Sequence, residues 1–150
     1  GNCAEARIHV EQSLAITREI GDRSKEVWNL SDLGQISRLE GDLVEARVFC
    51  VQSLTLANQL GEITDIIYTM EERAALALAE ASPQRAARLV GAAQAAREGI
   101  AAILPPKQQG THEQTVAAAR AALGDEAFAA AWDAGRAMML NEAVQQALES

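Results

Sequence analysis

The residues best suited to metal chemistry in this sequence are its two histidines and two cysteines, and they do not cluster. His9 and His112 are far apart, and neither has a second ligand at helical spacing. A zinc site needs several such ligands together. Cys50 falls on a predicted core face, where a free cysteine behaves as a small hydrophobe, and Cys3 falls at a helix start. These residues predict neither a metal site nor a disulfide framework.

A second candidate chemistry is acid–base catalysis by Glu71 and Glu72 together with Asp65. Adjacent residues on a helix point away from each other, so we interpret these carboxylates as a solvated face. The sequence has no Gly-x-x-x-x-Gly-Lys loop for a nucleotide phosphate and no evident nucleophilic triad. We therefore expect no enzymatic activity and no cofactor.

Composition favours one acidic helical domain. The chain has 150 residues, of which 49% are hydrophobic and only 3% aromatic, and its net charge is −8. This charge disfavours direct nucleic-acid binding. The negative net charge also favours a solvated face over a basic patch for four arginines, which are Arg73, Arg85, Arg88 and Arg97. No apolar run is long enough to span a membrane and no signal segment begins the chain, so we expect a cytoplasmic location.

The stretch from Leu30 to Leu60 predicts a helical hairpin. Apolar or small residues recur at 30, 33, 34 and 37, and again at 43, 46, 50, 53, 54 and 57. Each set has the i, i+3, i+4, i+7 spacing of one helix face. Gly41 and Asp42 separate the two sets, as expected of a short turn between antiparallel helices.

The hairpin is part of an internal repeat with a period of about 40 residues. Gly1-Asn-Cys-Ala-Glu-Ala-Arg matches Gly41-Asp-Leu-Val-Glu-Ala-Arg, and Gln-Ser-Leu at 12–14 recurs at 52–54. Asn2, Asp42 and Ser82 are N-cap residues at one register, and Glu45 completes the spacing of a capping box. A fixed period built from helix pairs predicts an α-α solenoid.

The repeat resembles the pattern of large and small residue pairs that is typical of the tetratricopeptide (TPR) family. The residues that carry this resemblance are Leu33-Gly34, Ser37, Gly41-Asp42-Leu43, Ala46, Cys50 and Ser53. The period is longer than the usual 34 residues, and the family's aromatic near Ser37 is absent. The resemblance implies an all-α fold, a TPR-like superhelix of helical hairpins.

The pattern predicts repeats over 1–102 and a helical C-terminal cap over 103–150 in the same domain. The predicted helices are 1–20, 24–40, 43–60, 63–80, 83–99, 112–123, 126–137 and 140–148, with a loop over 101–110 around Pro105 and Pro106. The first repeat is reduced to its second helix. This leaves an apolar face that a preceding segment of a longer protein, or a second copy, would cover.

The tail carries a second resemblance. Ala117-Ala-Ala-Arg-Ala-Ala-Leu-Gly-Asp-Glu-Ala-Phe128, followed by Trp132, Gly135-Arg136 and Glu142-Ala143, is similar to the C-terminal end of large bacterial multidomain signal-transduction ATPases. Arg85-Ala-Ala-Arg-Leu-Val-Gly-Ala-Ala93 resembles the repeat before that tail. The resemblance implies the regulatory TPR region of a transcriptional regulator.

In TPR-like folds the first helix of each hairpin lines the concave side, which predicts a protein-binding groove. Its predicted residues are Trp28, Ser31, Asp32, Gln35, Arg38, Tyr68, Glu71, Glu72 and Ala75. Trp28 and Tyr68 occupy one repeat position. They either serve as recognition hot spots or pack between neighbouring hairpins. Acidic residues at 32 and 71 favour a basic or apolar peptide.

Three functions follow from these observations. The first is a protein–protein interaction or scaffolding module that recognises a protein or peptide partner. The second is a self-association module, a homodimer through the N-terminal helical face. The third is a small-ligand sensor.

Overall fold

The computed structural model describes residues 2–149, and this part of the chain is all-helical. It contains eight helices and no strand: α1 (Asn2–Ile20), α2 (Arg23–Glu40), α3 (Leu43–Leu60), α4 (Ile63–Ala79), α5 (Pro83–Gly99), α6 (Pro106–Leu123), α7 (Asp125–Arg136) and α8 (Leu140–Leu148). The all-α prediction is confirmed. Gly1 and Ser150, at the ends of the predicted segments, lie outside the described residues.

The turns between the first helices use glycine and aspartate as the repeat predicted. Gly41 adopts a left-handed conformation, and its N–H donates to carbonyls of the last turn of α2. Asp42 then caps α3, because its side chain accepts a hydrogen bond of 2.9 Å from the Glu45 N–H. The reciprocal half of the predicted capping box is not formed, since the Asp42 N–H donates to the Ser37 carbonyl. The Glu45 carboxylate instead accepts hydrogen bonds from Ser37 and Arg7.

Two helical hairpins, α2–α3 and α4–α5, form the body of the molecule. Helix α4 packs on both α2 and α3, and α6 packs in the same way on α4 and α5. Helix α1 lies against α2, and α8 touches α3, α4 and α5. The main core therefore joins side chains from α1 through α8, among them Leu14, Leu30, Leu54, Met70, Leu89 and Val144.

Helix α6 begins earlier than predicted. The sequence pattern placed residues 101–110 in a loop and began the helix at residue 112, but the helix starts at Pro106. Proline is well suited to the first position of a helix because its missing N–H has no partner there in any case. The Pro105-Pro106 pair therefore marks a helix start, and Thr111 lies inside the helix.

Helix α7 lies along α5 at very short range. A Cβ atom added to Gly135 would lie far closer to the Arg88 carbonyl oxygen than van der Waals contact allows, and one added to Gly91 would overlap the Trp132 carbonyl oxygen in the same way. Both positions therefore require glycine. As a result α7 contacts α5 extensively and α6 only to a limited extent.

Candidate functional site

The nine residues of the predicted groove lie on α2 and α4, which pack side by side. Five of them are buried, namely Ser31, Tyr68, Glu71, Glu72 and Ala75. Trp28 is 37% exposed, and Asp32, Gln35 and Arg38 are half-buried. The structure thus brings the nine residues together, with Ser31 and the α4 members buried and the other four α2 members nearer the surface.

Trp28 of α2 and Tyr68 of α4 contact each other between neighbouring hairpins. Their rings stack with centroids 4.5 Å apart and an interplanar angle of 16°. The Trp28 indole N–H donates to Asp65 at 2.7 Å, and the Tyr68 hydroxyl donates to Asp32 at 2.9 Å. Both polar ends are therefore satisfied within the chain, as buried aromatic residues with polar groups usually require.

The carboxylates of α4 do not form the solvated face that the sequence suggested. Asp65, Glu71 and Glu72 are each 5–6% exposed. Helix α4 is surrounded by α2, α3, α5, α6 and α8, so every residue from Asp65 to Ala77 is buried. Local sequence did not reveal this enclosure, because Asp65, Thr69 and Glu72 have the spacing of one polar helix face.

Side chains from neighbouring helices contact two of the buried carboxylates, Glu71 and Glu72. Arg97 on α5 lies 3.1 Å from Glu71, and His112 on α6 lies 3.0 Å from the same carboxylate. Arg38 lies 3.5 Å from Glu72. Breaking a buried pair by removing one partner is costly, because it leaves an uncompensated charge. These contacts therefore fix how α2, α5 and α6 are placed around α4.

The charge on Glu72 is incompletely compensated. Burial raises the pKa of Glu72 above its ordinary value, and Arg38 opposes this shift only in part. Among the described residues, Glu72 Oε2 and Arg38 Nε are buried without a hydrogen-bond partner. Burial, and then the Asp32 carboxylate, likewise raise the pKa of Tyr68. This site therefore favours neutral side chains or an added cation.

Two arginines assigned to a solvated face are also buried. Arg73 has no exposed surface and Arg97 is 5% exposed. The Arg73 Nε–H donates to the Ala147 carbonyl at 3.0 Å, and its Nη1 lies 3.1 Å from Glu80. Local sequence could not reveal this role, because the acceptor lies 74 positions further along the chain.

The chain itself covers part of the predicted groove. The connection over 102–105 and the first turns of α6 lie over the α4 side, where Lys107 Nζ is 4.0 Å from Asp32. The space left beside Gln35, Glu72 and Lys107 is only about 20 Å³. A second space, next to Trp28 and Leu104, is about 70 Å³. The accessible remainder is thus the α2 edge, with Trp28, Asp32 and Gln35.

Within residues 2–149, neither the cysteines nor the other residue types that bind metals form a reactive or metal-binding cluster. Both cysteines are free, and burial raises the pKa of Cys50 to about 12, which suppresses the reactive thiolate. No group of three or more His, Cys, Asp or Glu residues within 2–149 could hold a metal ion.

None of the helices in this range has the length and apolarity needed to cross a membrane.

Comparison with known proteins found no match. No protein-family model fits the chain, and neither a curated protein nor a solved structure is similar to it.

Proposed function

We propose that this chain is a protein–protein interaction module. Its hairpins would form a TPR-like superhelix that recognises a protein or peptide through the face of α2 and α4. The observation that carries the proposal is the side-by-side packing of α2, α4 and α6. This packing leaves Trp28, Asp32 and Gln35 accessible along one edge. Binding there would shift the resting and active populations of a parent protein.

We further propose that the parent protein is a bacterial transcriptional regulator with a nucleotide-binding core. The similarity of the tail around Phe128 and Trp132 supports this proposal. Its test is the coding sequence around this chain. A nucleotide-binding loop in the same reading frame is expected, and a complete gene without one would contradict the assignment.

Peptide selection followed by a matched pair of variants tests the recognition surface. Peptides selected from a displayed library on the native chain should lose binding to Gln35→Arg, because this change places a large cation on the α2 edge. They should retain binding to Gln59→Arg, which adds the same charge to an exposed position on α3. Equal loss in both variants, or loss in neither, would contradict the assignment to this face.

Self-association is a second candidate, favoured by the exposed apolar face of α1. Ile8, Ile16 and Ile20 are 54%, 57% and 68% exposed. Ile16 stands forty residues before Leu56, which is only 7% exposed. The same repeat position is thus buried in α3 and exposed in α1. Clustered apolar surface of this kind marks interaction sites.

Light scattering over a concentration series tests this candidate. A dimer should form at high concentration and disappear in Ile16→Glu. Ile103→Glu is the control, because Ile103 is 87% exposed but lies in the connection before α6. A monomer at every concentration would contradict self-association.

A small-ligand sensor is the third candidate, and no observation favours it. The spaces at the predicted site, about 20 and 70 Å³, are well below the roughly 300 Å³ at which ligand pockets usually begin.

A further inference from the structure

Helix α6 presents an open face that the corresponding helices do not. On α4, which holds the same place relative to α2 and α3, all residues from Asp65 to Ala77 are buried. On α6, which packs on α4 and α5 in that manner, only Thr115 and Ala119 are buried. The difference arises because five helices surround α4, whereas α6 packs on α4 and α5 and contacts α7 only to a limited extent.

The close α5–α7 contact produces a groove between α6 and α7. Gly91 and Gly135 let α7 approach the α5 backbone, which leaves a space of about 840 Å³ on the other side of α7. The lining side chains run from His112 to Arg120 on α6 and from Asp125 to Asp133 on α7. At 1.5 Å per residue each wall is about 12 Å long, which matches about two turns of a docked helix.

The groove has an apolar, aromatic floor between small residues. Phe128 and Trp132 stack with their centroids 5.7 Å apart, and Val116 lies opposite on α6. Ala117 and Ala129 stand on the two walls, and both are exposed. Small residues on facing walls allow the backbone of a third helix to approach closely, as they do at other helix–helix contacts.

The rim of the groove is acidic. Glu113, Asp125 and Asp133 all line it. The one arginine there, Arg120, lies 4.6 Å above the Phe128 ring and 3.9 Å from Asp125. Within residues 2–149, neither Glu113 nor Asp133 takes part in an ion pair. Both carboxylates lie toward the end of the groove away from Gly124, where they can meet cations from outside.

We propose that the α6–α7 groove is a docking site for a basic amphipathic helix of another protein. The apolar side of that helix would lie on Val116 and Trp132, above the buried Phe128, and its Lys or Arg side chains would meet Glu113 and Asp133. Recognition of this kind places apolar anchors in a groove and uses charge to select the partner. The exposed surface of α1 carries Glu5, Glu11 and Glu19, so charge disfavours the α1 helix of a second copy as the occupant.

Two defined peptides test the proposal. One is a fluorescently labelled peptide of about two heptads with leucine on one helical face and lysine on the rest. The other has the same pattern with glutamate in place of lysine. The Leu/Lys peptide should bind the native chain, measured by anisotropy, and the Leu/Glu peptide should bind at least about tenfold more weakly.

A matched pair of variants separates docking from general attraction to an acidic protein. Ala117→Arg fills the groove and should weaken Leu/Lys binding about tenfold or more. Ala118→Arg adds the same charge at an exposed position on the opposite side of α6 and should change it less than about twofold. Equal weakening by both variants would overturn the proposal, and so would equal binding of the two peptides.

Two further measurements complete the test. Ala129→Arg blocks the other wall and should reproduce the loss if Ala117→Arg fails to fold. A dimer seen by light scattering that Ala117→Arg dissolves would make a second copy the occupant and overturn the proposal. None of these variants touches Trp28 or Gln35, so this groove and the α2–α4 face can fail independently.

Discussion

At the scale of single residues, the notable feature is the set of charges enclosed around α4. Glu71 contacts side chains from two other helices, Arg97 and His112, whereas Glu72 faces only Arg38 at 3.5 Å. Charged groups are buried in proteins only when they are paired. Glu72 is therefore the least well compensated carboxylate of this set, and its protonation should be visible in the stability of the fold.

Glu72 should make stability depend on pH. Since burial raises its pKa above 4.5, the folded chain holds this proton more tightly than the unfolded chain does. The contribution of Glu72 to the free energy of unfolding should therefore fall as pH rises from about 4.5 towards neutrality. Urea unfolding of the native chain and of Glu72→Gln over this range should show the native chain losing stability relative to the variant.

Glu62→Gln is the control for this measurement. Glu62 precedes the same helix, α4, and is exposed, so this variant and the native chain should show parallel profiles. Parallel profiles for Glu72→Gln as well would show that Glu72 has an ordinary pKa in the folded state.

At the scale of elements, the sequence predicts where helices lie better than how they pack. Gly41-Asp42 and Gly61 locate helix ends because a left-handed glycine and an aspartate cap act locally, and α3 and α8 match their predicted bounds. The start of α6 was missed because a proline pair is compatible with both a turn and a first helical residue. The burial of α4 depends on five neighbouring helices and on Arg73 reaching Ala147, which no local pattern encodes.

The close packing of α5 against α7 should make stability sensitive to the size of residue 135. Gly135→Ala should reduce the free energy of unfolding by about 1–3 kcal/mol, because the added methyl group overlaps the Arg88 backbone and the helices must separate. Gly99→Ala is the control, since a Cβ there meets nothing within 4 Å. The control should be neutral or stabilising by up to about 1 kcal/mol, because alanine favours the helix. Denaturant unfolding measures both, and equal changes would contradict the close contact.

At the scale of the whole molecule, one core links the first helix to the last. Leu14 of α1 and Ala147 of α8 belong to the same buried cluster, and Trp132 packs against both this cluster and a smaller one that includes Ala87 and Phe128. A shared core of this kind favours a single cooperative transition.

Two single-tryptophan variants test this cooperativity. Trp132→Phe leaves the α2 indole as the fluorescent probe, and Trp28→Phe leaves the α7 indole. Each variant should show its fluorescence change coinciding with its loss of helical circular dichroism in urea. A fluorescence change of the α7 indole that precedes the loss of helix would show that α6 and α7 unfold separately from the hairpins.

The enclosure of α4 also bears on how this sequence can vary. A helix with one open side accepts exchanges at every third or fourth position, and α7 and α8 should drift in this periodic way. From Asp65 to Ala77 no position is open, so α4 should tolerate few exchanges in an unbroken run of residues. Changes at its charged positions should be accepted mainly when Arg38 or Arg97 changes in concert. In relatives of this chain, we therefore expect α4, a buried helix with several charged residues, to be the slowest to diverge.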